Sequence, residues 1–420
     1  MGGYGRDTLH FLGENARWLG GGFLLTLFSS FGQTFFIGLS GNDLRATFHL
    51  SAGAFGGLYL LANVASAMTL PWLGRTLDLM PGWKVTRFTM PALAAACVLV
   101  AIAPNVAVLT LAFYLLRLFG QGMMTETAYT EIGRWFVANR GRAMALIVPG
   151  QQAGVAILPV LVVLIDRASG GWRTSWVVSA ALIALVGLPA IITLMRVERV
   201  PRSHEPRMHD GRTARDWSRA EVIRDPILYL LLTGILAPAF ISTIIFFHQD
   251  YLIELRGYDR LAFAAAFSVM SVTTVVFGLI CGHLIDRLGA LKLLPYLLVP
   301  LAVASAAVAL ITQVWGVYLF MLLLGISSGF TATMLGALWP EVYGIANLGG
   351  IRAIVVSAIV LATALGPGLS GALIDKGIAL PTQMLWLSGW CLIACFVLAF
   401  AAWRIRLRGA AVLRPETALT

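Results

Sequence analysis

Gly74-Arg75-Thr76-Leu77-Asp78 and Gly282-His283-Leu284-Ile285-Asp286 decide how this 420-residue chain folds: each closes a long apolar run, and the two lie 208 positions apart, about half the length. Pro159 and Pro367 repeat that spacing, and Leu164-Ile165-Asp166 returns at Leu373-Ile374-Asp375 one position out of step. Two pairs in register and a third within one residue of it imply two similar halves. Parallel repeats in a hydrophobic chain are the layout of proteins that rock one half against the other around a central site.

Composition sets the solvent. Hydrophobic residues make up 59% and charged residues 12%, with mean hydropathy +0.83, whereas soluble domains run at roughly 25% charged. A bilayer accommodates such a chain, because a spanning helix needs about 20 apolar residues. Runs of that kind fall near 18–40, 53–72, 88–104, 107–129, 143–165, 174–195, 226–248, 261–281, 291–311, 315–338, 353–374 and 384–403. The pattern predicts an all-α membrane protein with twelve transmembrane helices in two pseudo-symmetric six-helix bundles. Its expected parts are an N-terminal bundle (1–195), a cytoplasmic linker (196–225) and a C-terminal bundle with a short cytoplasmic tail (226–420). The linker is the one long polar stretch, Arg-rich and broken by Pro201 and Pro206. The first run has no clear small-residue cleavage site and is expected to stay as a mature helix.

Lysine and arginine set the orientation. With the N-terminus inside, inner segments hold 23 of the 30 basic residues and outer loops hold 6, with Arg117 in the membrane. The positive-inside rule then puts both termini in the cytoplasm and the chain in the cell membrane as a multi-pass protein. Spread over membrane-flanking loops, the net charge of +10 matches anionic lipid, and no nucleic-acid motif accompanies it. Cys97, Cys281, Cys391 and Cys395 sit in or beside apolar runs without metal-ligand spacing and read as packing residues.

With their loop placement, the two Gly-x-x-x-Asp segments resemble the signature of the major facilitator superfamily, and the resemblance covers essentially the whole chain. The second copy, continuing through Arg287-Leu288-Gly289, matches better; the first has Leu79 where the family usually has arginine. Four further stretches resemble the monocarboxylate transporter and oxalate/formate antiporter branch. They are Arg134-Trp135-Phe136 with Arg140-Gly141-Arg142; Gly171-Trp172-Arg173; Trp339-Pro340-Glu341-Val342-Tyr343-Gly344 with Asn347-Leu348-Gly349; and Ala364-Leu365-Gly366-Pro367. In that branch the eighth helix usually carries an arginine and an aspartate where this chain has Gly278 and Thr274. The resemblance implies a secondary active transporter moving a small organic anion such as a monocarboxylate by alternating access. It implies no enzyme activity, no cofactor and no metal, with a small-molecule substrate and membrane lipid as partners and a monomer as the working unit. An exporter of amphipathic or cationic compounds is the nearer alternative, and a non-transporting membrane sensor with the same fold is the other.

Arg117 is the fixed positive charge at mid-depth of the fourth run, where burial costs roughly 3 kcal/mol on an insertion scale. Tyr114, Gln121 and Thr125 share its face at helical spacing. Arg117 either anchors a carboxylate with its fork of donors or, like the comparable arginine in many superfamily members, bonds to backbone carbonyls of the first helix. Gln33, Tyr59, Gln121 and Gln151 are expected to shape the substrate site with it, or to bond one another across helices. His248 and Glu126 are the proton-coupling candidates; the alternatives are an interfacial helix cap for His248 and a gating ion pair for Glu126. Gly74, Asp78, Gly282, Asp286 and Arg287 are expected to gate. Gly325-Ile326-Ser327-Ser328-Gly329 matches a hydrolase elbow, but it lies inside a spanning run rather than after a strand.

Overall fold

The computed structural model describes residues 2–136, 140–197, 217–344 and 347–412, without the side chains of 2–9, 140, 141, 286, 348, 349, 353 and 409–412. Most of the expected linker, residues 198–216, and the Asp286 side chain lie outside the described residues, as do the side chains of Arg140 and Leu348. Twelve helices are long and apolar enough to cross a membrane, and no strand occurs among the described residues. They are α1 (His10–Gly38), α2 (Ala52–Leu79), α3 (Gly82–Ile102), α4 (Val106–Trp135), α5 (Arg142–Ser169), α6 (Trp172–Met195), α7 (Pro226–Phe247), α8 (Arg260–Ile285), α9 (Ala290–Leu310), α10 (Val314–Tyr343), α11 (Gly350–Asp375) and α12 (Leu380–Arg408).

Local chemistry starts and stops these helices where the apolar runs do. Ser51, Asn105 and Asp259 each accept a backbone N–H from the residue three positions on, capping α2, α4 and α8. Gly289 ends the α8 helix with φ 82°, a conformation that favours glycine. Large apolar side chains such as Leu61, Trp72, Leu185, Leu279 and Phe396 stand exposed along the helices. A chain in water would hide them, but in a bilayer they meet acyl chains.

The chain divides into two compact units. The first comprises Met1–Met208 with Phe246–Leu255 and Pro367–Ala372; the second comprises His209–Ile245, Arg256–Gly366 and Leu373–Thr420. In the first, α2 pairs with α4, α3 with α4 and α6, and α1 with α6. In the second, each pairing recurs six helices on: α8 with α10, α9 with α10 and α12, and α7 with α12. The repeat in sequence is therefore a repeat in packing.

Two departures from regular rods bear on the site. α1 breaks: a 3-10 turn at Ser29–Gly32 leads into extended Gln33, and helix resumes at Thr34. α4 widens to a π-helix over Leu116–Met124, so Arg117 and Gln121 do not sit on a simple α-helical stripe with Tyr114, which instead donates to Thr69 Oγ1 at 3.1 Å. Both occur where Gly32 meets Gly120 backbone to backbone, too close for any Cβ.

Candidate substrate site and gating contacts

The α1 break exposes backbone that a continuous helix would satisfy. Ser29 Oγ donates to the Thr26 carbonyl at 2.7 Å, and such back-bonding loosens a helix at that point. Gln33 N–H folds back to Ser30 O at 3.1 Å, and Phe36 N–H, which would reach Gly32 O in a continuous helix, donates to Gln33 O at 3.1 Å instead, leaving the Gly32 carbonyl without a helical partner. Arg117 supplies one: Nη1 donates to Gly32 O at 3.1 Å, and Nε donates to Asn63 Oδ1 at 2.9 Å. The Tyr59 ring lies 5.4 Å from the guanidinium carbon, and its hydroxyl bonds Thr34 Oγ1 at 2.6 Å. Arg117 is 2% exposed. A buried guanidinium needs such partners to offset desolvation, and these tie α1, α2 and α4 together at the break. Nη2 has no protein partner among the described residues.

Around this clamp lie neutral polar atoms that are buried and unpaired: Asn63 Nδ2, Gln121 Oε1 and Thr125 Oγ1. Each would cost about 1–3 kcal/mol if left dry and unbonded. They mark where water or a ligand belongs. Gln33 and Gln151 are half-buried, and no side-chain bond fixes either. α5 reaches α1 closely here, since Gly150 and Gly154 abut Phe23 O and Ser30 Oγ. The structure thus brings Arg117, Tyr59 and Asn63 together. Gln33 sits in the break itself, and helical spacing alone missed Asn63's role as partner.

At the Asp78 end of α2, Arg134 bonds Asp78 at 2.9 Å, Glu131 at 3.4 Å and the Leu77 carbonyl at 2.5 Å. Glu131 is buried and escaped the sequence reading, although its spacing three residues before Arg134 was the available signal. Beside this cluster a cavity of about 390 Å³ is lined by Leu70, Gly74, Arg75, Asp78 and Glu126. Glu126 faces it with no partner among the described residues. The second copy of the motif differs from the expected turn: Gly282, Asp286 and Arg287 all lie in the last turns of the α8 helix, which continues to Leu288. Arg287 is exposed.

At the Ala52 end of α2, the Phe246–Leu255 and Pro367–Ala372 segments pack within the first unit. His248 Nε2 bonds the Pro367 carbonyl at 3.0 Å, so that nitrogen carries the proton. Gln249 donates to Phe35 O at 2.8 Å, and Asp250 accepts the Asn42 N–H at 3.3 Å. Phe247 stacks on Phe55 with centroids 4.7 Å apart. A Cβ on Gly56 would stand 2.6 Å from Pro367 O, and Gly371 approaches Ala52 O as closely. His248 is thus buried in backbone packing at the helix end.

In the second unit, Asp225 caps the start of α7 and accepts four hydrogen bonds from three residues. Both terminal nitrogens of Arg408 reach it at 2.8 Å, the Tyr343 hydroxyl at 3.1 Å and Ile227 N–H at 3.1 Å. Burial alone would raise the Asp225 pKa, but the Arg408 fork and the other hydrogen bonds outweigh it and hold the carboxyl below its ordinary value. Trp217 joins the cluster by donating its N–H to Tyr343 O at 3.1 Å.

Comparison with known proteins agrees with this architecture. The family model of the Major Facilitator Superfamily matches residues 22–338. The agnestins efflux protein AgnL12 of Paecilomyces divaricatus is 25% identical over 267 residues, covering 61% of this chain. The match spans only 57% of that protein's length. Among solved structures, a bacterial homolog of the human lysosomal transporter Spinster, inward-facing and unoccupied, has TM-score 0.66 at 15% identity, over 97% of this chain and 99% of that one. The nucleoside transporter NupG has TM-score 0.68 at 14% identity, over 92% of this chain and 99% of that one. At such identity these two speak for the fold alone. With the family model running from the first repeat into the second, and twelve helices among the described residues long and apolar enough to cross a membrane, the chain belongs to the Major Facilitator Superfamily and is a multi-pass membrane protein.

Proposed function

We propose that the chain is a secondary active transporter that exports amphipathic compounds by alternating access. The observation that carries this reading is the state of Arg117: its charge is spent on Gly32 O and Asn63 at 2% exposure. The atoms left to a ligand, Asn63 Nδ2, Gln121 Oε1 and Thr125 Oγ1, are neutral. Such a surface suits a molecule with a few hydrogen-bonding groups on an apolar body. The efflux relative supports the direction of transport. Gln33, Tyr59, Gln121 and Gln151 shape the site in this reading.

The positive-inside pattern supports placing the Asp78 end of α2 at the cytoplasm and the His248 end outside. Asp78, Gly74 and Arg134, with Gly282, Asp286 and Arg287 in the other repeat, then act as the inner gate. Glu126, unpaired beside the inner cavity, is the better placed of the two proton-coupling candidates, because His248 is held by the Pro367 carbonyl. A small organic anion remains a second reading, favoured by Arg117 Nη2, which has no protein partner among the described residues.

A thermal-shift screen of the purified protein tests the choice. Amphipathic neutral or cationic compounds are expected to raise the midpoint in proportion to occupancy, RT ln(1 + [L]/Kd). Stabilisation by monocarboxylates alone, above ionic-strength controls, would reject the exporter reading.

A further inference from the structure

We propose that a cleft in the second unit is a binding site for one hydrocarbon chain of a bilayer lipid. The cleft encloses about 410 Å³. Leu236 and Phe240 of α7, Ala358 and Leu365 of α11, and Leu387 and Trp390 of α12 line it.

Its origin is in the sequence of α7. The helix stops at Ile235 and restarts at Ala237, where Pro238 withholds the N–H that a continuous helix would need. Past the break, α7 and α11 meet: a Cβ on Gly366 would lie 3.0 Å from Phe240 O and 3.2 Å from the Ile244 side chain. The cleft lies between these two helices, and α12 closes the third wall.

The chemistry of the walls selects the occupant. Thr233 carries the one hydroxyl in the lining, and it already donates to Leu230 O at 2.7 Å. The other polar group is the Trp390 indole N–H, and no charged side chain lines the cleft, so a charged head group has no counterpart there. Leu361 and Trp390 stand at its mouth, 52% and 45% exposed. Trp390 continues into exposed Trp386 and Ile393 at helical spacing on α12, which is the surface that meets the bilayer. The molecules at the mouth are therefore acyl chains. Left empty, the walls would forgo the dispersion contacts that a close-packed interior makes. A 150 Å³ apolar cavity is known to take up benzene, so on that scale this cleft has room for on the order of sixteen carbons. That matches one lipid tail rather than a whole lipid. A tail seated there would fill the angle at the α7 break and hold the three helices in their present spacing. This proposal rests on membrane residence and is independent of what is transported.

The test is labelling of the full-length protein in nanodiscs by a phospholipid carrying a photoactivatable diazirine in mid-chain, followed by peptide mapping. The expected result is several-fold more label on peptides containing Ala358–Leu365 and Leu387–Trp390 than on peptides containing Leu185 or Leu279, which are exposed apolar positions outside the cleft. Ala358→Trp, which fills the cleft, should bring that excess down to the level at Leu185 and Leu279. Equal labelling at all of these positions in the wild-type protein would overturn the proposal, as would excess label that survives Ala358→Trp in a folded variant. If Ala358→Trp fails to fold, the wild-type ratio decides alone.

Discussion

Replacing Arg117 by methionine removes the guanidinium while keeping apolar bulk, and the structure says what is lost. Gly32 O and Asn63 Oδ1 both become buried acceptors without donors, and each orphan costs about 1–3 kcal/mol. The two are not equal. Asn63 Nδ2 has no partner to lose, so the amide can rotate and recover part of its cost. The Gly32 carbonyl is fixed by the α1 break and cannot. Against these losses, methionine needs no solvation, so the desolvation of a buried charge is relieved. Interhelical hydrogen bonds within membranes also average only about 0.6 kcal/mol when measured by cycles. The expected net cost is about 1–3 kcal/mol. Reversible unfolding of the purified protein in mixed micelles measures it, and a cycle with Asn63→Leu separates the shared part. If Arg117 is the clamp of the broken helix, the two changes couple by more than about 0.5 kcal/mol. Arg117→Met without cost, and additive with Asn63→Leu, would refute the reasoning.

Three further outcomes follow from the packing. In a protein whose four native cysteines are replaced by serine, Gly56→Ala should raise maleimide labelling of a cysteine placed at Ala52, which is 0% exposed. The added Cβ meets backbone rather than a flexible side chain, so unchanged labelling would contradict the contact. Asp225→Asn should cost about 1–2 kcal/mol at neutral pH, discounted because Arg408 is 41% exposed. Because the folded Asp225 pKa is depressed, this contribution is full above the ordinary carboxylate value of about 3.9 and is lost as pH falls through the lower folded value. Wild-type and variant unfolding curves should therefore converge in acid, and divergence there would be the wrong sign. Asp78→Asn should leave the thermal midpoint nearly unchanged, since its side chain is 74% exposed and such pairs contribute about 0–1 kcal/mol. Transport turnover should change nonetheless, and an unaltered rate would remove Asp78 from the gate.

The helices were legible because hydropathy over about 20 residues is a local quantity, and the repeat showed in paired motifs before it showed in packing. Arg117 stood out because a charge at mid-membrane demands partners, and both readings offered for it were physical. What decided between its contacts was not local. The break at Ser29-Ser30-Phe31-Gly32 lies where Gly120 of α4 comes against Gly32, a contact between residues 88 positions apart that no local pattern announces. Asn63 was one of several neutral polar residues in apolar runs until α2 placed it against Arg117. The Asp225 cluster joins residues 118 and 183 positions apart, beyond the reach of any periodicity. His248 invited a proton role from its pKa class, whereas its neighbour across the fold is the Pro367 carbonyl.

Transport into everted membrane vesicles bears most directly on the central reading, that this carrier exports amphipathic compounds from a neutral polar site. Everted vesicles containing the protein, energised by an inwardly directed proton source, should accumulate an amphipathic fluorescent compound above protein-free vesicles, and Gln121→Ala should weaken that accumulation. Vesicles that move only small carboxylates, with amphipathic compounds at the protein-free level, would contradict it.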